Sequence, residues 1–267
     1  MPFRSAYLVL LLLVPMIAVA FWPSYFGRLH GAPFALHAHG LSAMAWLILL
    51  EWQAWTTARR RLALHRQTGL AMFALVPTFV AGGLLAMQGM AALAAAQSDP
   101  FHAHYGARLA LDDALTILAF VALVTFATAQ RRRAWLHGGA MLGTALLVLP
   151  PIITRLPVFP DSASFNMVFL AAQAIALLGA LTLAGLYPRS RGPFGFVAAT
   201  ILLQTLLVQT VGQGAAWRQA CFSLIGVPAP ALALIGLVVG VVPLWWAWRR
   251  RRTGRPPTAE PALKPGI

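Results

Sequence analysis

With one cysteine, Cys221, in 267 residues, the chain cannot form an intrachain disulfide, a dithiol redox pair or a cysteine cage for a metal. Acids are scarce as well: six Asp and Glu stand against 20 Lys and Arg. Nothing reads as a phosphate-binding glycine loop, a nucleophile elbow, a zinc-protease helix or a nucleic-acid motif. Acid-base hydrolysis of a soluble substrate therefore has no footing. Also missing is any polar stretch long enough for a soluble domain between the apolar runs.

Those runs make up most of the chain. Hydrophobic residues are 60% of it, charged residues 10%, and the mean hydropathy is +0.74, outside the range of ordinary soluble domains. A bilayer core about 30 Å thick takes roughly 20 apolar residues per helix. Stretches of that length are expected at about 6 to 26, 34 to 57, 69 to 95, 108 to 129, 136 to 154, 165 to 187, 194 to 216 and 228 to 248. They are continuously apolar rather than alternating, which predicts helices and not a barrel. The expected fold is all-α, a polytopic bundle of eight spans forming one domain over residues 1–253. A proline-rich tail, 254–267, is expected to be disordered.

The net charge of +14 is distributed as a membrane protein distributes it, so nucleic acid is not an expected partner. Alternate connections carry the basic residues: Arg4, then Arg59 to Arg61 with Arg66, Arg131 to Arg133, Arg189 with Arg191, and Arg249 onward. Only Arg28, Arg108, Arg155 and Arg218 fall on the other side. The positive-inside rule then places both termini in the cytoplasm, in the inner membrane of a bacterium, with Trp245, Trp246 and Trp248 as an interfacial belt. The alternative is that Ala18-Val19-Ala20, behind Arg4 and an apolar run, is a signal-peptide cleavage site leaving seven spans.

Two stretches echo one another. His37-Ala38-His39 leads to Arg59-Arg60-Arg61 and then Leu64-His65, while His102-Ala103-His104 leads to Arg131-Arg132-Arg133 and then Leu136-His137. The first and last histidines are 28 and 35 residues apart, as two related hairpins at 36–72 and 101–142 would be. His30, His37, His39, His102 and His104 then gather at the outer face, and His65 and His137 at the inner. A continuous helix from His39 to His65 would be about 39 Å long, so the groups define two sites or none.

Paired helices offering one imidazole each resemble the transmembrane diheme cytochromes of the cytochrome b561 group. That resemblance implies haem b, transmembrane electron transfer, and pairing of His39 with His104 or His102 and of His65 with His137. Quinone or a periplasmic redox protein is the implied partner. A second resemblance, carried by His39, Trp46, Gln53, Leu64, His65, Arg66 and Gly69, then Arg133, His137, Met141 and Arg155, is to uncharacterised bacterial multi-span proteins. It covers roughly residues 36 to 157 and implies a fold without an activity. Three alternatives stand beside haem. The outer histidines His30, His37, His39, His102 and His104 suit Cu or Zn, though a His-x-His pair on a regular helix points its rings about 200° apart. A transporter or metal-handling protein would use polar stripes. A structural or regulatory membrane protein would need neither.

Further polar residues fall within the spans. Glu51 lies on the His37 face of its helix, within about 40°, with Met44 between, and is placed either on a cation path or against an arginine at the helix end. Arg108 and Asp112 have the i,i+4 spacing of an ion pair. Asp113 is then free to orient a histidine. Thr205, Gln209 and Gln213, beside Gln204 and Thr210, form a stripe expected to face the bundle. Pro150-Pro151 should bend its helix and free backbone carbonyls.

Overall fold

The computed structural model describes residues 3–160 and 162–250, so the expected disordered tail lies outside the described residues. Among these the chain is helical, without strands. The helices are α1 (Ala6–Phe21), α2 (Phe34–Ala58), α3 (Leu62–Thr68), α4 (Met72–Ala95), α5 (Pro100–Ala129) and α6 (Ala134–Leu147). After these come α7 (Leu149–Ile153), α8 (Phe165–Leu186), α9 (Arg191–Gln209), α10 (Ala215–Ser223) and α11 (Ala229–Arg249).

Seven segments are long and apolar enough to cross a bilayer: Phe34–Ala58, Leu62–Ala95, Pro100–Ala129, Ala134–Ile153, Phe165–Leu186, Pro188–Gln213 and Ala229–Arg249. The protein is a multi-pass membrane bundle. Of the eight expected spans the first is the exception. α1 is apolar but 16 residues long, about 24 Å at 1.5 Å per residue, short of a full hydrocarbon core. It packs against α2 and α7 and buries Leu10, Leu13, Ile17 and Ala20. The second difference is at α5, which starts at Pro100 rather than near 108. Asp99 accepts from the His102 backbone N–H at 2.9 Å as its N-cap, with Pro100 in the first turn, the arrangement that begins helices efficiently. At Pro150-Pro151, where a bend was expected, the helix is interrupted at Val148, α6 ending at Leu147 and α7 beginning at Leu149.

Helix α4 is the axis of the bundle, packed by α2, α5 and α11. Lipid gives no hydrophobic drive between helices, so close backbone approach at small residues supplies the attraction. A Cβ on Gly82 would sit 2.7 Å from the Ala38 carbonyl carbon and the His39 nitrogen of α2. On the opposite side Gly236 and Gly240, one turn apart on α11, lie against the backbone of Ala81 and Pro77. The faces turned away from the bundle are apolar and exposed, as on α8 with Met167, Ile175, Leu178 and Leu181, which suits contact with lipid chains.

Candidate functional site

The two echoed hairpins converge at the arginine-rich end. Each ends in a turn of three arginines, and the following helix begins the same way: the His65 N–H donates to the Arg61 carbonyl and the His137 N–H to the Arg133 carbonyl, both at 3.0 Å. Four residues beyond the arginine turn, each histidine projects from the first turn of its helix. Their rings meet with centroids 6.2 Å apart at an interplanar angle of 83°. Among the described residues it is the one histidine pair in ring contact. A metal held in line between two imidazoles needs about 2 Å for each metal–nitrogen bond and about 1 Å from nitrogen to ring centre, about 6 Å in all.

Both rings line a cavity of about 770 Å³ that also takes in Trp46, Met141, Arg66 and Arg132, within the range of sites for cofactors and drug-sized ligands. The His137 Nδ1 is 2.9 Å from the Ala127 carbonyl. A carbonyl only accepts, so Nδ1 carries the proton and Nε2 keeps its lone pair. His65 is governed by Gln53. With the amide oxygen accepting from the Thr68 hydroxyl at 2.7 Å and the Gly69 N–H at 3.1 Å, its NH2 donates to the His65 carbonyl and Nδ1. Turned over, the amide donates to Thr68 and presents its oxygen to Nδ1, leaving the Nε2 lone pair free, but that oxygen then faces the His65 carbonyl oxygen and the NH2 faces the Gly69 N–H. The choice of orientation therefore sets the tautomer. His137 thus offers its Nε2 lone pair to a ligand, His65 does so only with the Gln53 amide turned over, and Arg66 and Arg132 lie in the same wall as cations.

The opposite end is assembled differently. His37 faces the α1–α2 connection, where its Nδ1 is 3.0 Å from the Tyr25 hydroxyl. His39, two residues on, turns to α4, its ring 5.2 Å from Phe79. On α5, His102 is paired with Asp99 at 2.5 Å, and His104 lies beside Arg108 and Tyr105. His39 is in ring contact with neither His102 nor His104. Because both His-Ala-His runs are helical, their rings diverge, and among the described residues no three His, Cys, Asp or Glu side chains gather as a metal would need. His30 lies exposed in a 3-10 turn, Phe26–Gly31. Glu51 is half-buried and makes no ion pair among the described residues, so its expected partnership with an arginine is not formed.

The expected Arg108–Asp112 ion pair is absent too. Arg108 instead donates to the side-chain oxygens of Asn166 at 3.3 Å and Gln209 at 3.1 Å, and its guanidinium lies over Tyr105. Buried Asp112 accepts from Gln173 of α8 at 3.2 Å, while Gln204 of α9 donates to its backbone carbonyl and to Thr116. Gln213 is exposed and bonds back to the Gln209 carbonyl. The inward residues of the expected stripe are thus Gln204 and Gln209, both meeting α5.

Arg155, which sequence spacing left unplaced, projects beyond α7 over the Phe21 ring of α1, 4.9 Å away, and donates to the Pro151 carbonyl. Among the described residues three buried side-chain polar atoms lack a partner, His39 Nδ1, Arg108 Nε and Gln173 Oε1. All are at this end of the bundle, and each such atom costs about 1–3 kcal/mol. No family model matches the chain, and neither does any curated protein or solved structure.

Proposed function

We propose that this protein is a membrane redox protein that holds a single b-type haem between His65 and His137. The observation that carries the reading is the 6.2 Å, near-perpendicular ring pair on the wall of a cavity of about 770 Å³. Bound there, haem supplies a one-electron couple. The chain's own part is to present two imidazoles from neighbouring helix starts, fix the His137 tautomer through Ala127, and exclude water with Trp46 and Met141. Arg66 and Arg132 supply positive charge to the ligand's carboxylates. A membrane-soluble quinone or a soluble redox protein is the expected exchange partner.

The outer histidines are not needed for this function, so the reading is one haem rather than two. The test is the visible spectrum of detergent-purified protein from haem-supplied cells, oxidised and dithionite-reduced, with His65→Ala and His137→Ala alongside. Sharp reduced b-type bands, lost in both variants, are expected. The crossed ring planes also call for a strongly anisotropic low-spin ferric signal in electron paramagnetic resonance. Colourless protein would overturn the proposal.

A further inference from the structure

We propose that Arg108 anchors a phosphate-binding site at the end of the bundle opposite the His65–His137 cavity, and that the phosphate it takes is the diester of a phospholipid headgroup. Arg108 is only 8% exposed, and a guanidinium keeps its charge when buried. Among the described residues no acid forms an ion pair with it. Asp112, one turn further along α5, accepts from Gln173 instead. The groups that do meet the guanidinium are neutral: Nη2 donates to the side-chain oxygens of Asn166 at 3.3 Å and Gln209 at 3.1 Å, and Cζ lies 5.3 Å from the centre of the Tyr105 ring. Nε is sealed and has no partner. A buried charge held only by amides and a ring lacks the counter-ion that would offset its desolvation, so the ligand that completes the site is an anion.

The surroundings narrow which anion. The Asn166 side-chain oxygen accepts from both Arg108 and Gln209, which leaves the half-buried Asn166 NH2 as a donor. Asn166 is also in the opening turn of the 22-residue α8, where the first N–H groups have no carbonyl within the helix to bond and the helix dipole is positive. The exposed His104 meets Nη1 at 3.5 Å, the outer limit of a hydrogen bond, so an oxyanion that moves it aside reaches the guanidinium. One arginine matches the single negative charge of a phosphodiester, whereas a phosphate monoester carries about −1.5 to −2. Position identifies the source. Arg108 sits at the level where α8 begins and α9 ends, where a membrane bundle meets headgroups. Met167 and Leu170 of α8 and Leu206 of α9, close to Asn166 and Gln209 in sequence, are exposed and give the acyl chains an apolar surface to run along.

The test is native mass spectrometry of the detergent-purified full chain titrated with phosphatidylglycerol, with thermal unfolding in inorganic phosphate, free of lipid, as its second arm. Arg108→Gln should weaken the tightest lipid site about tenfold. Arg28→Gln, which removes an exposed cation in the turn before α2, should leave that site unchanged. Because Arg108→Gln also removes contacts between helices, Asn166→Asp is its companion: it sets a carboxylate where an amide oxygen now accepts from Arg108 and so supplies the counter-ion from within. That variant should bind the lipid more weakly and unfold at a higher temperature. Lipid affinity unchanged in either well-folded variant would overturn the lipid site. If inorganic phosphate raised the thermal midpoint of the unaltered chain but not of Arg108→Gln, while lipid binding ignored Arg108, the phosphate would stand and its lipid source would be overturned. Neither outcome touches the haem reading, which concerns the other end of the bundle.

Discussion

At the residue scale, the inner pair turns on how each imidazole's second nitrogen is held. The Ala127 carbonyl dictates one tautomer of His137, whereas the Gln53 amide, oriented so that both its ends are satisfied, donates to His65 Nδ1 and favours the Nε2-protonated form. Replacing Gln53 with Glu reverses that preference: a carboxylate can only accept, so Nδ1 must carry the proton and the ring becomes a more basic ligand. Gln53→Glu is expected to keep the b-type bands and lower the reduction potential in a redox titration; an unchanged or raised potential would contradict the role given to Gln53. A second prediction belongs to Asp99. The His102 backbone N–H, and then the His102 side chain, hold its carboxyl below the usual range. A group whose folded value is depressed stabilises the fold above its unfolded value and loses that contribution as pH falls through the folded one. Hydrogen exchange at the start of α5 should therefore quicken as pH falls through the acid range, after correction for intrinsic rates. In Asp99→Ala it should be fast already at neutral pH.

At the element scale, seven of the spans were legible because lipid demands long continuous apolar helices, and the sequence carries that period plainly. Helix ends were less so. The start of α5 at Pro100 depends on an Asp cap that composition hides among polar loop residues, and the brevity of α1 depends on where the chain turns at Trp22. The close contacts were not legible, because a glycine announces closeness only when its neighbour is known. Gly240 is an example: on α11 it reads as an ordinary small residue, yet it lies against Pro77 of α4. Gly240→Leu should cost about 1–3 kcal/mol through overpacking and lower the thermal midpoint, while a leucine at Gly179, which has open space around it, should leave the midpoint nearly unchanged. Equal effects at the two positions would refute the axial role of α4.

At the scale of the whole molecule, the echo of His-Ala-His, arginine turn and Leu-His proved half informative. The arginine turns put His65 and His137 in equivalent places, and the hairpins bring them together. The His-Ala-His ends diverge, because on a helix alternate residues face apart: His37 meets Tyr25, His39 meets Phe79, and His102 closes on Asp99. The place of Arg155 could not be read from spacing, since its ring partner Phe21 lies on a distant segment. The two ends are thus unlike. One has crossed imidazoles over a cavity rimmed by arginines, and the other has a polar core where α5 meets α8 and α9. The account rests on a single haem at the first of these, and the most direct measurement is the haem-to-protein ratio of the purified, haem-replete chain. The prediction is one haem per chain, falling to none when His65 or His137 is replaced and remaining at one when His39 or His104 is replaced. A ratio of zero would contradict the redox function, and a ratio of two would contradict the separation of the two ends.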